Sequence, residues 1–275
     1  MSDSRKILVP IDFSEQSLVA LSQTYNLARY SNSTITLLYV NYKGSDSDVK
    51  LFEIKTTLEK KVAEIKSEHK IDAEYLIEQG KVYDEIIKVA EKIKAKFMVI
   101  GFNGTKGLTA FIGHNTLRLV RLSPCPVITI KGKQHREGCK NILLPLDFTK
   151  ETRVKVSKAI EMAEYFGSTI RAVMIIENKE YEARIMQYAS QTRKMIEDKG
   201  IKCTLDKISG SKIAHLVVDY AEKIEADLIL IMTKEELDID EYLIGTTAQQ
   251  IINFSDIPVL SIRPPKANYT SFTQF

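Results

Sequence analysis

Four glycines fall within one segment of thirteen residues: Gly101, Gly104, Gly107 and Gly113 in Gly-Phe-Asn-Gly-Thr-Lys-Gly-Leu-Thr-Ala-Phe-Ile-Gly, followed by His114, Asn115 and Thr116. The segment leaves an apolar run, 97–100, and enters a stretch with helical spacing. Glycine lets backbone N–H groups approach an anion without interference from a Cβ. The start of a helix adds unpaired N–H groups and a positive dipole end. The chemistry this suits is the holding of a phosphate. The pattern is neither a P-loop nor the G-x-G-x-x-G dinucleotide fingerprint, so a glycine-rich surface turn is the competing reading. Asp12 and Asp147 are the other candidates. Each follows a strand-like run, where an aspartate can meet a ligand, cap the next helix or form an Asx-turn.

The two aspartates belong to a repeat. Ile7-Leu-Val-Pro-Ile-Asp-Phe-Ser14 returns as Ile142-Leu-Leu-Pro-Leu-Asp-Phe-Thr149, at an offset of 135 (142 − 7). Ser123-Pro-Cys-Pro-Val-Ile-Thr-Ile130 returns as Ser255-Asp-Ile-Pro-Val-Leu-Ser-Ile262, at an offset of 132 (255 − 123). Ala90-Glu-Lys-Ile-Lys-Ala95 matches Ala221-Glu-Lys-Ile-Glu-Ala226 between them. A period this long means duplicated domains and not a solenoid. Each copy alternates short β-rich runs with helical stripes: strands are expected at 6–11, 35–40, 73–77, 97–100 and 127–130, with a short helix from about Asn115. That alternation argues for an α/β fold in which a parallel sheet is covered by helices on both faces. Pro10 and Pro145 conflict with central strands unless the strand is leaving the sheet there. The expected units are residues 1–132 and 139–265, with a polar linker at 131–141 and a tail at 266–275 carrying Tyr269, Phe272 and Phe275.

The remaining composition narrows the function. The 275 residues carry 39 Lys+Arg against 36 Asp+Glu, a formal charge of +3. That balance gives no basic face for nucleic acid. No run is apolar and long enough to span a membrane, and no secretory h-region opens the chain. Cys125, Cys139 and Cys203 form neither a disulfide framework nor a zinc pattern, which fits a reducing cytoplasm. His69, His135 and His215 have no cysteine or carboxylate at ligand spacing, so no metal site is expected.

With Val9-Pro10-Ile11-Asp12, Gly101-x-x-Gly104, Gly113 and the closing Pro126-Val-Ile-Thr-Ile130, the chain resembles the universal stress protein family, in both copies from Arg5 to Arg263. The resemblance implies two tandem doubly wound domains, each a five-stranded parallel sheet of order 3-2-1-4-5. It places the ligand at the switch point between strands 1 and 4. In ATP-binding members the aspartate meets the nucleoside, a valine near the end of strand 2 meets adenine, and the glycine loop holds the phosphates. These roles fall here on Asp12, Val40, Gly101, Gly104, Gly113 and Asn115. The resemblance thus implies ATP or AMP, with or without magnesium. Members also pair through the last strand, which implies a pseudo-dimer of the two copies along 127–130 and 259–262, and leaves room for a homodimer. Two departures stand out. The spacer 105–112 has eight residues where the family has nine, and His114 replaces a Ser or Thr. His114 could donate to a phosphate or stand exposed at a helix start.

The second copy keeps Asp147 but replaces the glycine loop with Thr233-Lys-Glu-Glu-Leu-Asp-Ile-Asp-Glu-Tyr-Leu-Ile-Gly245. Its five acids repel a phosphate, so binding is expected in the first copy alone. Three functions remain open: a nucleotide-binding stress-response module without catalysis, a slow ATPase or self-phosphorylating enzyme, and a nucleotide-free scaffold.

Overall fold

The computed structural model describes residues 5–102, 110–131, 138–146, 152–176, 179–233 and 246–263; for 110–115, 152, 179 and 246 it describes the backbone alone. In the first copy the elements run β1 (Lys6–Pro10), α1 (Glu15–Ser31), β2 (Thr34–Tyr42), α2 (Asp48–Glu68), β3 (Ala73–Gly80), α3 (Val82–Lys92), β4 (Phe97–Gly101), α4 (Ala110–Leu122) and β5 (Val127–Ile130). The second copy runs β6 (Asn141–Leu146), α5 (Thr152–Phe166), β7 (Thr169–Ile176), a 3₁₀ turn (Lys179–Tyr181), α6 (Glu182–Glu197), β8 (Cys203–Ser209), α7 (Ile213–Lys223), β9 (Leu228–Met232), α8 (Thr246–Phe254) and β10 (Val259–Ile262).

The strands form one ten-stranded sheet of order β3-β2-β1-β4-β5-β10-β9-β6-β7-β8. Each half therefore has the order 3-2-1-4-5. Every pairing within a half is parallel. At the centre β5 and β10 pair antiparallel, Thr129 opposite Val259 and Val127 opposite Ser261. The strands of the two copies thus run in opposite directions.

The alternation of side chains along each strand divides the core between the two faces. Ile7, Val9, Phe97 and Val99 join Leu21 and Leu27 of α1 and Leu58 and Ile65 of α2. Leu8, Met98 and Ile100 face the other way, toward Ile86 and Val89 of α3 and Leu119 of α4. The second copy repeats the division, with α5 and α6 on the first face and α7 and α8 on the second. Parallel strands buried on both faces need continuous apolar runs, and Ile7-Leu-Val9 and Leu228-Ile-Leu-Ile231 supply them.

The two prolines sit where the sheet opens. Ile11 N–H donates to Leu38 O of β2, so its neighbour Pro10 turns its missing N–H toward β4. The β1–β4 pairing covers only Ile7–Phe97 and Leu8–Met98. Pro10 therefore breaks no ladder. Pro145 repeats this, because β6 pairs with β9 only at Ile142 and Leu143.

Candidate functional site

Beyond Leu8 and Met98 the strands β1 and β4 part, and a cleft of about 530 Å³ opens at their carboxyl ends. Pro10, Ile11, Ile100 and Leu38 form its apolar floor. Val82, Tyr83 and Ile86 of α3 close one side, Thr116 and Leu119 of α4 another, and Tyr39, Val40 and Tyr42 of β2 a third. Asp12, Ser14 and Ser17 stand at the entry to α1, and Gly101 ends β4.

Asp12 lies exposed at the cleft. Its Oδ1 accepts from the Ser14 N–H at 3.0 Å and from the Ser14 hydroxyl. Ser14 in turn caps α1, its Oγ accepting from Ser17 N–H. This turn forces Phe13, between them, to φ 60°, a value that non-glycine residues seldom adopt. The aspartate thus has the local structural role expected of it. One of its carboxylate oxygens is committed to the turn.

Gly101 has a packing reason to be glycine. A Cβ built on it would lie 2.0 Å from Gln16 O, in the first turn of α1. Only hydrogen at that position lets α1 come this close to the end of β4. Gly104 lies outside the described residues. Gly113, His114 and Asn115 fall within α4, which begins at Ala110 and not near Asn115 as the sequence predicts. The helix recruits Ala110-Phe-Ile112 ahead of the glycine, so Gly113 does not end a loop but belongs to the helix.

The wall formed by β2 is held by its own hydrogen bonds. Tyr39 OH donates to Asp46 Oδ2 at 2.8 Å, and Asp46 N–H donates to the buried Asn41 Oδ1 at 3.1 Å. Lys50 pairs with the same carboxylate and holds Asp46 below the usual carboxylate range. Burial raises the Tyr39 phenol above its usual range, and the hydrogen bond to Asp46 adds to the shift. Thr116 and the tyrosines 39, 42 and 83 did not emerge from the sequence motifs. For the tyrosines the available signal was position, in the last residues of β2 and the first turn of α3; Thr116, in the middle of α4, had none.

The second copy differs where the two can be compared. Met232 stands opposite Ile262 as Gly101 stands opposite Ile130. Lys155, which the offset of 135 aligns with Ala20, is buried, and its Nζ donates to Pro145 O at 2.7 Å. Asp147 and the loop 234–245 lie outside the described residues. Away from both sites, His69 has carboxylate neighbours that a linear reading of the sequence misses. Glu64 and Glu68, on the last turns of α2, bring carboxylates to His69, with ligand atoms all within 4.8 Å of one another. The helical spacing, not a linear motif, makes this grouping. The ring of His69 also stacks on Tyr25 at 4.0 Å.

The Universal stress protein family model matches the chain twice, at residues 4–131 and 138–263. A universal stress protein of Methanocaldococcus jannaschii is 25% identical over 143 residues, 46% of this chain and 84% of that protein. One from Bacillus subtilis is 26% identical over 145 residues, 46% of this chain and 98% of its own length. The crystal structure of a universal stress protein from Archaeoglobus fulgidus superimposes with a TM-score of 0.79 at 20% identity, covering 95% of this chain and 99% of that one. The chain belongs to the universal stress protein family and carries two of its domains in tandem. No helix among the described residues is long and apolar enough to cross a membrane.

Proposed function

We propose that this chain is a nucleotide-binding stress-response module whose first copy takes up ATP or AMP, while the second copy holds no nucleotide. The observation that carries this reading is the cleft at the β1–β4 split. Its volume of about 530 Å³ falls within the roughly 300–1,000 Å³ usual for small-ligand pockets. It lies outside the carboxyl ends of the strands, where open α/β sheets bind ligands. Asp12 offers an acceptor at the mouth, Val40 an apolar surface for a base, and Gly101 the start of the glycine segment that would hold the phosphates through Gly104, Gly113, His114 and Asn115. Magnesium would accompany ATP through its phosphates.

The functional units are residues 1–132 and 139–265, joined by a short linker and followed by the tail 266–275. Their meeting along β5 and β10 supports reading the chain as a built-in dimer, with homodimerisation as a further step through another surface. The three cysteines are buried and not joined in disulfides, which suits a cytoplasmic protein. Nucleotide acts here as a signal that biases the shape or partner surface of the module, without turnover. Native mass spectrometry of the purified chain, with calorimetric titration of ATP and AMP, tests this. One nucleotide per chain is expected. An unmoved baseline with both would leave the scaffold reading in its place, and single-turnover release of phosphate would favour the enzyme.

A further inference from the structure

Among the described residues that line the cleft, most side-chain hydroxyls with a known partner point elsewhere. Ser14 Oγ donates to Asp12, Ser17 Oγ donates to Ser14 O, and Tyr39 OH donates to Asp46. Tyr42 and Tyr83 each have a contact of their own within the protein. Thr116 is different. Its side chain is 1% exposed, it lines the cleft from α4, and its Oγ1 has no hydrogen-bond partner in the protein.

Burying a hydroxyl without a partner costs about 1–3 kcal/mol, and such groups are few in folded proteins. A threonine in a helix has an easy remedy, a bond to a carbonyl one turn earlier, which Thr116 does not take. Packing does not require the hydroxyl either. The offset of 132 aligns Thr116 with Ala248 of α8, which is also buried and fills the same helix–sheet position with no polar atom. The hydroxyl is therefore present in the first copy, where it lines the cleft, and absent from its counterpart.

From this we infer that Thr116 Oγ1 is a ligand-binding donor of the first copy, completed by an acceptor oxygen of the sugar–phosphate part of a nucleotide. The assignment follows from the division of roles among the lining groups. Asp12 is acceptor-only when ionised and can take hydrogen bonds from ligand hydroxyls. An oxygen on the ligand needs a donor, and Thr116 Oγ1 is a buried lining hydroxyl with no hydrogen-bond partner in the protein. The inference rests on reading the cleft as a nucleotide site.

The test is a titration of the full chain with ATP, in wild type, Thr116→Val and Thr116→Ser, together with the melting temperature of each without ligand. Valine keeps the shape and removes the hydroxyl. Thr116→Val should bind ATP about tenfold more weakly, while its ligand-free melting temperature should not fall, because no internal hydrogen bond is lost. Thr116→Ser should bind within about twofold of wild type. Unchanged affinity in Thr116→Val, with wild type binding normally, overturns the role of Thr116 alone. A drop in its ligand-free melting temperature shows that the hydroxyl serves the fold, and also overturns it. If wild type takes up no ATP, the nucleotide reading of the cleft itself fails.

Discussion

At Gly101 a single hydrogen atom sets the spacing between β4 and α1. The atom that a Cβ would strike, Gln16 O, is backbone in the first turn of a helix, so it cannot rotate away as a side chain could. Gly101→Ala should therefore destabilise the protein by about 2–3 kcal/mol, the upper part of the usual range for overpacking. Urea midpoints at constant slope would measure it. A loss below a few tenths would mean that α1 slides without resistance. Ser14 carries a separate load: it caps α1 and partners Asp12. Ser14→Ala should cost about 1 kcal/mol, as for other N-caps. It should also remove the hydroxyl bond to Asp12 while leaving the one from the backbone N–H of residue 14, so that ATP affinity changes together with stability. An unchanged urea midpoint would show that the cap contributes nothing here.

At the scale of elements, the seam between the copies offers a pH-dependent readout. Glu161 of α5 accepts from Tyr165 at 2.8 Å and pairs with Lys158 of its own helix and with Lys96, which precedes β4 of the other copy, at 2.8 Å. Burial alone would raise the Glu161 carboxyl, but hydrogen bonds from Lys158, Lys96 and Tyr165 outweigh it and lower the carboxyl to about 2. Because the folded value is depressed below the ordinary 4.5, the stabilisation is full above about pH 4.5 and is lost as the pH falls toward 2. Glu161→Gln should thus be less stable than wild type at pH 7, and the gap should narrow at pH 3. A constant difference at both pH values would show that the cluster is held by packing and not by charge. Much of this scale was legible in the sequence. The repeat carries the two matching halves, the apolar runs carry the strands, and Pro10 and Pro145 mark where β1 and β6 leave their neighbours. The start of α4 was not legible, because Gly113 weighs against a helix that nonetheless begins at Ala110. Thr116 escaped because one threonine has no signature until its neighbours are known, and the grouping of Glu64, Glu68 and His69 appears only once α2 is wound.

At the scale of the whole molecule, duplication has produced two copies that share a frame and differ at the switch point. The antiparallel β5–β10 pairing sends the carboxyl ends of the two sets of strands in opposite directions, so neither copy can complete the other's cleft through its own strand ends. Each must bind, or fail to bind, alone. The first copy has Gly101, Ala20 and Thr116 around its split; the second has Met232, Lys155 and Ala248. Met232 and the buried Lys155, bonded to Pro145 O, stand where the first copy has Gly101 and Ala20, and the second loop carries Glu235, Glu236, Asp238, Asp240 and Glu241. A phosphate approaching those acids is repelled by several like charges at once. Titration with ATP should accordingly saturate at one equivalent per chain. Asp12→Ala, which removes the acceptor at the first mouth, should leave no measurable site, whereas the matching Asp147→Ala should leave one site with affinity within about twofold of wild type, as expected for substitutions far from the ligand. Two equivalents in the wild type, or half the sites surviving in Asp12→Ala, would mean that the second copy binds nucleotide despite its acidic loop.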